Sequence, residues 1–331
     1  MDPSRPNRLH RAGELASRIG SMRPQDPRLR RAVWISLAVA LTLSVILAAL
    51  SSAGHLHGID FRWRPLSLIA GLLGMAVFLL AAVEIWRMQL GFLGARLDRR
   101  SATAVWFTSA LGRYVPTGMM MPMMRVALAE PLGVPKRVSL ASFIYETALV
   151  LTAGLIIGAY SILSLPQAQD NVLRYAVLAL PLLALVAMHP RIFHPLADSA
   201  LKKLGRDPLP SSLGQGQLVL ILACYLADLV IAGLATYELA QLITPLDSGD
   251  LLTVIGAFAA SLVLSYVAFL LPGGLGAREA GMALLLSAVM PTAAAVGVAL
   301  ISRVAQILVE VATTLVAQVL VRRAPATGPA R

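Results

Sequence analysis

The chain has 331 residues, 57% of them hydrophobic and 14% charged, with a mean hydropathy of +0.75. Soluble domains run at about 45–50% apolar and about 25% charged, and disordered chains bury far less apolar surface, so both classes are excluded. About half of the net charge of +11 sits in residues 1–31, with eight Arg, no Lys and three acids, and the rest in short loops; this is the cytoplasmic flank of membrane helices rather than a nucleic-acid patch.

Apolar runs long enough to cross a membrane, which takes about 20 residues, begin at residue 32. They occupy 32–53, 66–86, 102–124, 139–164, 172–189, 216–243, 251–271, 273–290 and 293–321. The first is longer than the roughly 7–15 apolar residues of a secretion signal, so it is expected to stay as a membrane helix. The polar interval 190–215 contains Lys202, Lys203 and Arg206, and its centre, 196–204, reads as a short interfacial helix. The expected organisation is a basic cytoplasmic segment (1–31), one transmembrane domain (32–321) and a short cytoplasmic tail (322–331).

Two runs are interrupted. The 102–124 run contains Gly112-Arg113-Tyr114-Val115-Pro116-Thr117-Gly118, and the 251–290 pair contains Pro272-Gly273-Gly274-Leu275-Gly276-Ala277-Arg278-Glu279. Proline removes a backbone donor and clustered glycine weakens a helix. Unwound backbone at membrane depth persists only inside protein or along a wet cavity.

Loop charge favours a dip and return for 102–124. With the N-terminus inside, that option puts Arg125, Lys136 and Arg137 inside, leaves 165–171 outside with no Lys or Arg, and leaves 244–250 outside with only acids. The 251–290 pair reads either as a re-entrant hairpin from outside or as two spans with the Gly-rich turn inside. The expected fold class is therefore an all-α polytopic membrane protein. It would have about six full spans plus two re-entrant elements entering from opposite faces, the pattern of an inverted repeat.

Charges near the bilayer centre cost about 2.5–3.5 kcal/mol on insertion scales and need a reason. Glu146, Asp228, Arg303 and Glu310 are such groups. Arg303, Gln306 and Glu310 fall at i, i+3, i+7, so they share one helix face, continued by Thr313 and Thr314. That stripe points to an interior or a cavity, and internal ion pairs that glue helices are its plainer explanation.

Arg113 and Arg278 each adjoin a Gly/Pro break. Freed backbone N–H groups bind anions, a helix starting after Gly276 adds its positive end, and a guanidinium grips phosphate through two donors. Glu279 would cap that helix start or neutralise Arg278. The single cysteine, Cys224, reads as a core residue, and the five scattered histidines form no ligand set. Nucleotide loop, HExxH motif, paired Asp-x-Asp and nucleophile elbow are all missing from the sequence. No cofactor or metal is expected.

At the two breaks the sequence resembles a known family. The matching pieces are Leu111-Gly112-Arg113-Tyr114-Val115-Pro116 with Arg125, Gly133 and Glu146, then Leu271 through Gly281. Together they resemble the lysylphosphatidylglycerol synthase transmembrane-region family, the flippase-like domain of the multiple peptide resistance factor, also found as stand-alone proteins. One departure is Thr117, where the family often has Gly directly after Pro.

The resemblance implies a polytopic inner-membrane protein handling an anionic or lipid-linked substrate. The candidate substrate-binding residues are Arg113, Tyr114, Pro116, Arg125, Gly273, Gly274, Gly276, Arg278 and Glu279, and Glu146, Asp228, Arg303, Gln306 and Glu310 are expected to line the cavity. Bifunctional members carry an aminoacyl-transferase domain after the membrane part. Ten residues follow Val321, so a stand-alone member is expected.

Three functional readings compete. In the leading one, a flippase-like protein moves an anionic or isoprenoid lipid, with Glu146 as a proton or counter-charge site. A membrane-embedded transferase would use Glu146, Asp228 or Glu279 as base. A non-catalytic partner would serve lipid- or glycolipid-synthesis enzymes. The expected partners are lipid and membrane, not nucleic acid.

Overall fold

Apolar residues on all sides of a helix mark one buried in lipid and protein together, and the chain builds its architecture from such helices. The computed structural model describes residues 61–114, 120–163, 165, 172–187, 189–203, 213–269 and 276–323. The run at 32–53 lies outside the described residues.

In chain order the helices are α1 (Pro65–Phe92), α2 (Arg99–Ala110), α3 (Met120–Ala129), α4 (Lys136–Leu163), α5 (Val172–Ala187), α6 (Pro190–Lys203), α7 (Gln215–Ala240), α8 (Leu251–Phe269), α9 (Ala277–Leu286) and α10 (Thr292–Arg323). No strand occurs among the described residues. Five helices are long and apolar enough to cross a membrane: α1, α4, α7, α10 and the segment Ser248–Tyr266 that contains most of α8. The count is six if α5 and α6, bent by 82° at their junction, form one broken span.

The apolar runs become helices close to where the sequence places them, with informative differences. The short interfacial helix expected at 196–204 is the longer α6, starting at Pro190. Among the described residues of the run expected at 273–290, the helix is Ala277–Leu286. At ten residues α9 is about 15 Å long, half a bilayer core, whereas α8 has the length of a span.

Close backbone approach holds the centre. Gly154 and Gly158 of α4 face Ala259, Ala260 and Val263 of α8, and Gly256 of α8 faces Ser161 of α4. A Cβ at Gly158 would lie 3.0 Å from the Ala260 backbone. Small residues let helices touch where burying apolar surface gains little against lipid. Helix α7 packs on α1, α4, α8 and α10, with Gly71 and Gly74 of α1 against Ala235, and Gly233 against Ile255. The outward stripe Leu66, Ile69, Leu73, Val77 and Leu80 of α1 is exposed, as a lipid-facing surface requires.

Candidate functional site

The first break is a tight reversal. After α2, residues Leu111–Tyr114 form a 3₁₀ turn, and α3 packs back on α2. A Cβ at Gly112 would sit 2.7 Å from the Met121 nitrogen and 2.8 Å from its Cα, so the reversal admits only glycine. Arg113 Nε donates to the Ala110 carbonyl at 3.0 Å, closing the C-terminal end of α2 with a cation, as the helix dipole favours. Pro116 and the side chain of Tyr114 lie outside the described residues, as do Gly273 and Gly274. The second break ends at Gly276, whose φ of +95° is left-handed, and α9 starts immediately after it.

The polar stripe of α10 is where the two breaks meet. Arg278, buried at the start of α9, donates from Nη1 to Gln306 Oε1 at 2.7 Å. Its guanidinium also lies 5.1 Å from the centre of the Phe258 ring. One turn further along α10, Glu310 receives Arg113 from the first break, Nη2 to Oε1 at 3.6 Å. One turn earlier, Arg303 Nε meets Glu279 Oε1 at 3.3 Å. Thr314 continues the buried face, its hydroxyl donating to the Glu310 carbonyl at 2.7 Å, while Thr313 is half-buried. Glu279 makes no side-chain cap for α9; its carboxylate is spent on Arg303.

Arg125 and Glu146 stand in a second, wholly internal cluster. They form a direct ion pair between α3 and α4. Arg125 Nε also donates to Ser109 Oγ at 3.0 Å, and Trp106 Nε1 donates to Glu146 Oε1 at 3.3 Å. The guanidinium carbon lies 5.0 Å from the Trp86 ring, 5.4 Å from Trp106 and 6.0 Å from Phe143. Trp86 is itself fixed by Nε1 donating to Ser142 Oγ at 3.0 Å. Aromatic faces favour a desolvated cation by about 2 kcal/mol or more, which offsets the Arg125 Nη2 group that finds no hydrogen-bond acceptor among the described residues. Asp228 is buried on α7 and belongs to neither cluster by any hydrogen bond or ion pair among the described residues.

Sequence reasoning thus named the two arginines and the α10 stripe without seeing that they are partners. It missed Trp86, Trp106, Ser109 and Phe258. For the tryptophans a signal existed: each lies in an apolar run yet carries an N–H that must be satisfied when buried. Among the described residues no group of three or more His, Cys, Asp and Glu could hold a metal ion.

These helices, with two broken elements docked on one polar helix face, define a polytopic α-helical integral membrane protein. Residues 32–313 match the family described as the lysylphosphatidylglycerol synthase TM region, and the chain belongs to that family. Neither the curated proteins nor the solved structures yield a match.

Proposed function

We propose that the protein translocates an anionic or polyprenyl-linked lipid across the inner membrane, with the headgroup passing between the two breaks and the tails remaining in the bilayer. One observation carries this reading: Arg113 and Arg278, each beside a break, reach the same face of α10 one helical turn apart. Groups on adjacent turns are about 5–6 Å apart at Cβ, so one phosphate or diphosphate is the right size to engage both.

The chemistry is an exchange of partners. Arg113 keeps a quarter of its side-chain surface exposed while Glu310 is buried, so an arriving phosphate has access to the cation and displaces the carboxylate from it. The amide of Gln306 yields to phosphate more readily than a carboxylate would, because charge-assisted bonds are roughly twice as strong as neutral ones. The first-turn N–H groups of α9 add donors and a positive helix end. Glu279 and Arg303 hold α9 to α10 beside the site. Residues 32–321 form the single transmembrane body, with 1–31 and 322–331 cytoplasmic.

The test is reconstitution of the full chain in liposomes with a fluorescent-headgroup lipid and an impermeant quencher, across a panel of anionic and polyprenyl lipids. Faster loss of signal than in empty liposomes, with unchanged lipid by mass spectrometry, is expected. Arg278→Ala should abolish it at equal abundance, whereas Cys224→Ala should not. A new lipid species dependent on Glu146 would favour the transferase reading. No acceleration across the panel would favour a partner of lipid-synthesis enzymes.

A further inference from the structure

Asp228 is 3% exposed, and its Oδ1 has no hydrogen-bond partner among the described residues. It sits in the middle of α7, the helix that packs on α1, α4, α8 and α10 together. Several of the charged groups on those neighbours are already engaged. On α1, Arg87 pairs with Glu84. On α4, Glu146 pairs with Arg125 of α3. On α10, Arg303 pairs with Glu279 and Glu310 with Arg113. The remaining titratable groups around it are the free thiol of Cys224, one turn earlier on α7, and two phenols: Tyr225, also one turn earlier and bonded to Gln89 of α1, and Tyr266 on α8. The apolar run at 32–53 contains no Lys or Arg, so it offers no basic partner either.

A carboxylate charge buried in such surroundings is costly, and neutralising it removes most of that cost. Three things neutralise a carboxylate: a basic side chain, a metal ion or a proton. Among the described residues, Arg87, Arg113, Arg125 and Arg303 have other partners. A hard metal cation takes several oxygen ligands, and no cluster of three or more His, Cys, Asp and Glu exists among the described residues. We propose that Asp228 is a proton-binding site whose loading and release are coupled to the packing of α7 against its neighbours. With the proton bound, the neutral acid fits the closed packing described above. When the proton passes to water, the carboxylate left behind favours an arrangement in which solvent reaches α7. The site does not rest on the lipid-translocation reading; its service as an energy input for movement does.

Infrared spectroscopy of the full chain in phosphatidylglycerol–phosphatidylethanolamine vesicles reads the proton directly. A protonated-carboxyl band that fades as the medium is made alkaline is expected, and it should be lost in Asp228→Asn. Among the described aspartates only Asp228 is buried. Carbon-13 aspartate in the unaltered chain should therefore shift the same band, which keeps the test valid if the variant does not fold. A band absent at every pH, or one that responds to sodium and not to pH, would overturn the proposal. A second arm imposes a pH gradient on lipid-movement liposomes, where the wild type should respond and Asp228→Asn should not. If the band behaves as expected but no lipid moves, the proton site stands and the translocation reading falls. If lipid moves and both chains respond equally to the gradient, the coupling falls.

Discussion

Arg113 and Arg278, far apart in the sequence, are seated one helical turn apart on α10, at Glu310 and Gln306. Both arginines thus take their places from the same face of one helix.

Glu310→Gln should destabilise the protein by about 1–2 kcal/mol, below the roughly 3–5 kcal/mol of breaking a fully buried pair, because water reaches part of Arg113. Thermal unfolding in detergent measures it. A double-mutant cycle with Arg113→Met should give a coupling energy of about 0.5–3 kcal/mol. Additivity would mean that the pair contributes nothing to the fold.

Arg125→Ala should cost about 3–5 kcal/mol, because it strands the buried Glu146 carboxylate with only the Trp106 N–H as partner among the described residues. The double variant Arg125→Met with Glu146→Leu should recover most of that loss. Arg125→Lys keeps the charge but loses the Nε bond to Ser109 and the flat contact with the rings, so it should fall between. Unfolding midpoints of the three variants give the order.

Gly158→Ala drives a methyl into the Ala260 backbone and should destabilise by about 1–3 kcal/mol. Gly91→Ala, with nothing within 4 Å of the new Cβ, should be neutral or gain up to about 1 kcal/mol. Equal effects would remove the α4–α8 seam from the stability account.

Asp98 caps α2 by accepting from the Ser101 N–H at 3.0 Å, and hydrogen bonding to Ser101, from its side chain first and its N–H second, holds the carboxyl below the usual value. The folded value is the lower one, so the stabilisation is present above the unfolded value and is lost as pH falls through the folded one. Asp98→Asn should keep the cap and lose this acid sensitivity, whereas Asp98→Ala should cost about 1 kcal/mol at neutral pH. Melting temperature against pH distinguishes the two.

A reporter active only outside the cytoplasm should be silent at Lys136 and active within 165–171. Strong activity at Lys136 would mean that the 102–124 segment crosses the membrane.

Much of the fold is legible because apolar length alone selects membrane helices. The 3.6-residue period then groups Arg303, Gln306 and Glu310 on one face without any tertiary knowledge. Glycine and proline mark both breaks for equally local reasons, and the helix start after Gly276 follows from the same punctuation. What each polar group meets is not local. Glu279 adjoins Arg278 in sequence, so it reads as a cap or a neutraliser of its neighbour, yet the approach of α9 to α10 brings it to Arg303 instead. Arg125 reads as part of a motif at a turn. Its enclosure by Trp86 and Trp106 depends on three helices converging, which no spacing encodes. The half-length of α9 was likewise hidden, since Leu284–Leu286 and the apolar residues after it look like a continuing span.

The glycine seam between α4 and α8 sets where this molecule can yield. Two backbones in direct touch cannot slide without colliding, so those helices behave as a fixed frame. The contacts along α10 are ion pairs and an amide, each able to change partner while the others hold. Among the described helices, compliance therefore lies on the α9–α10 side, where contacts can be exchanged against the frame.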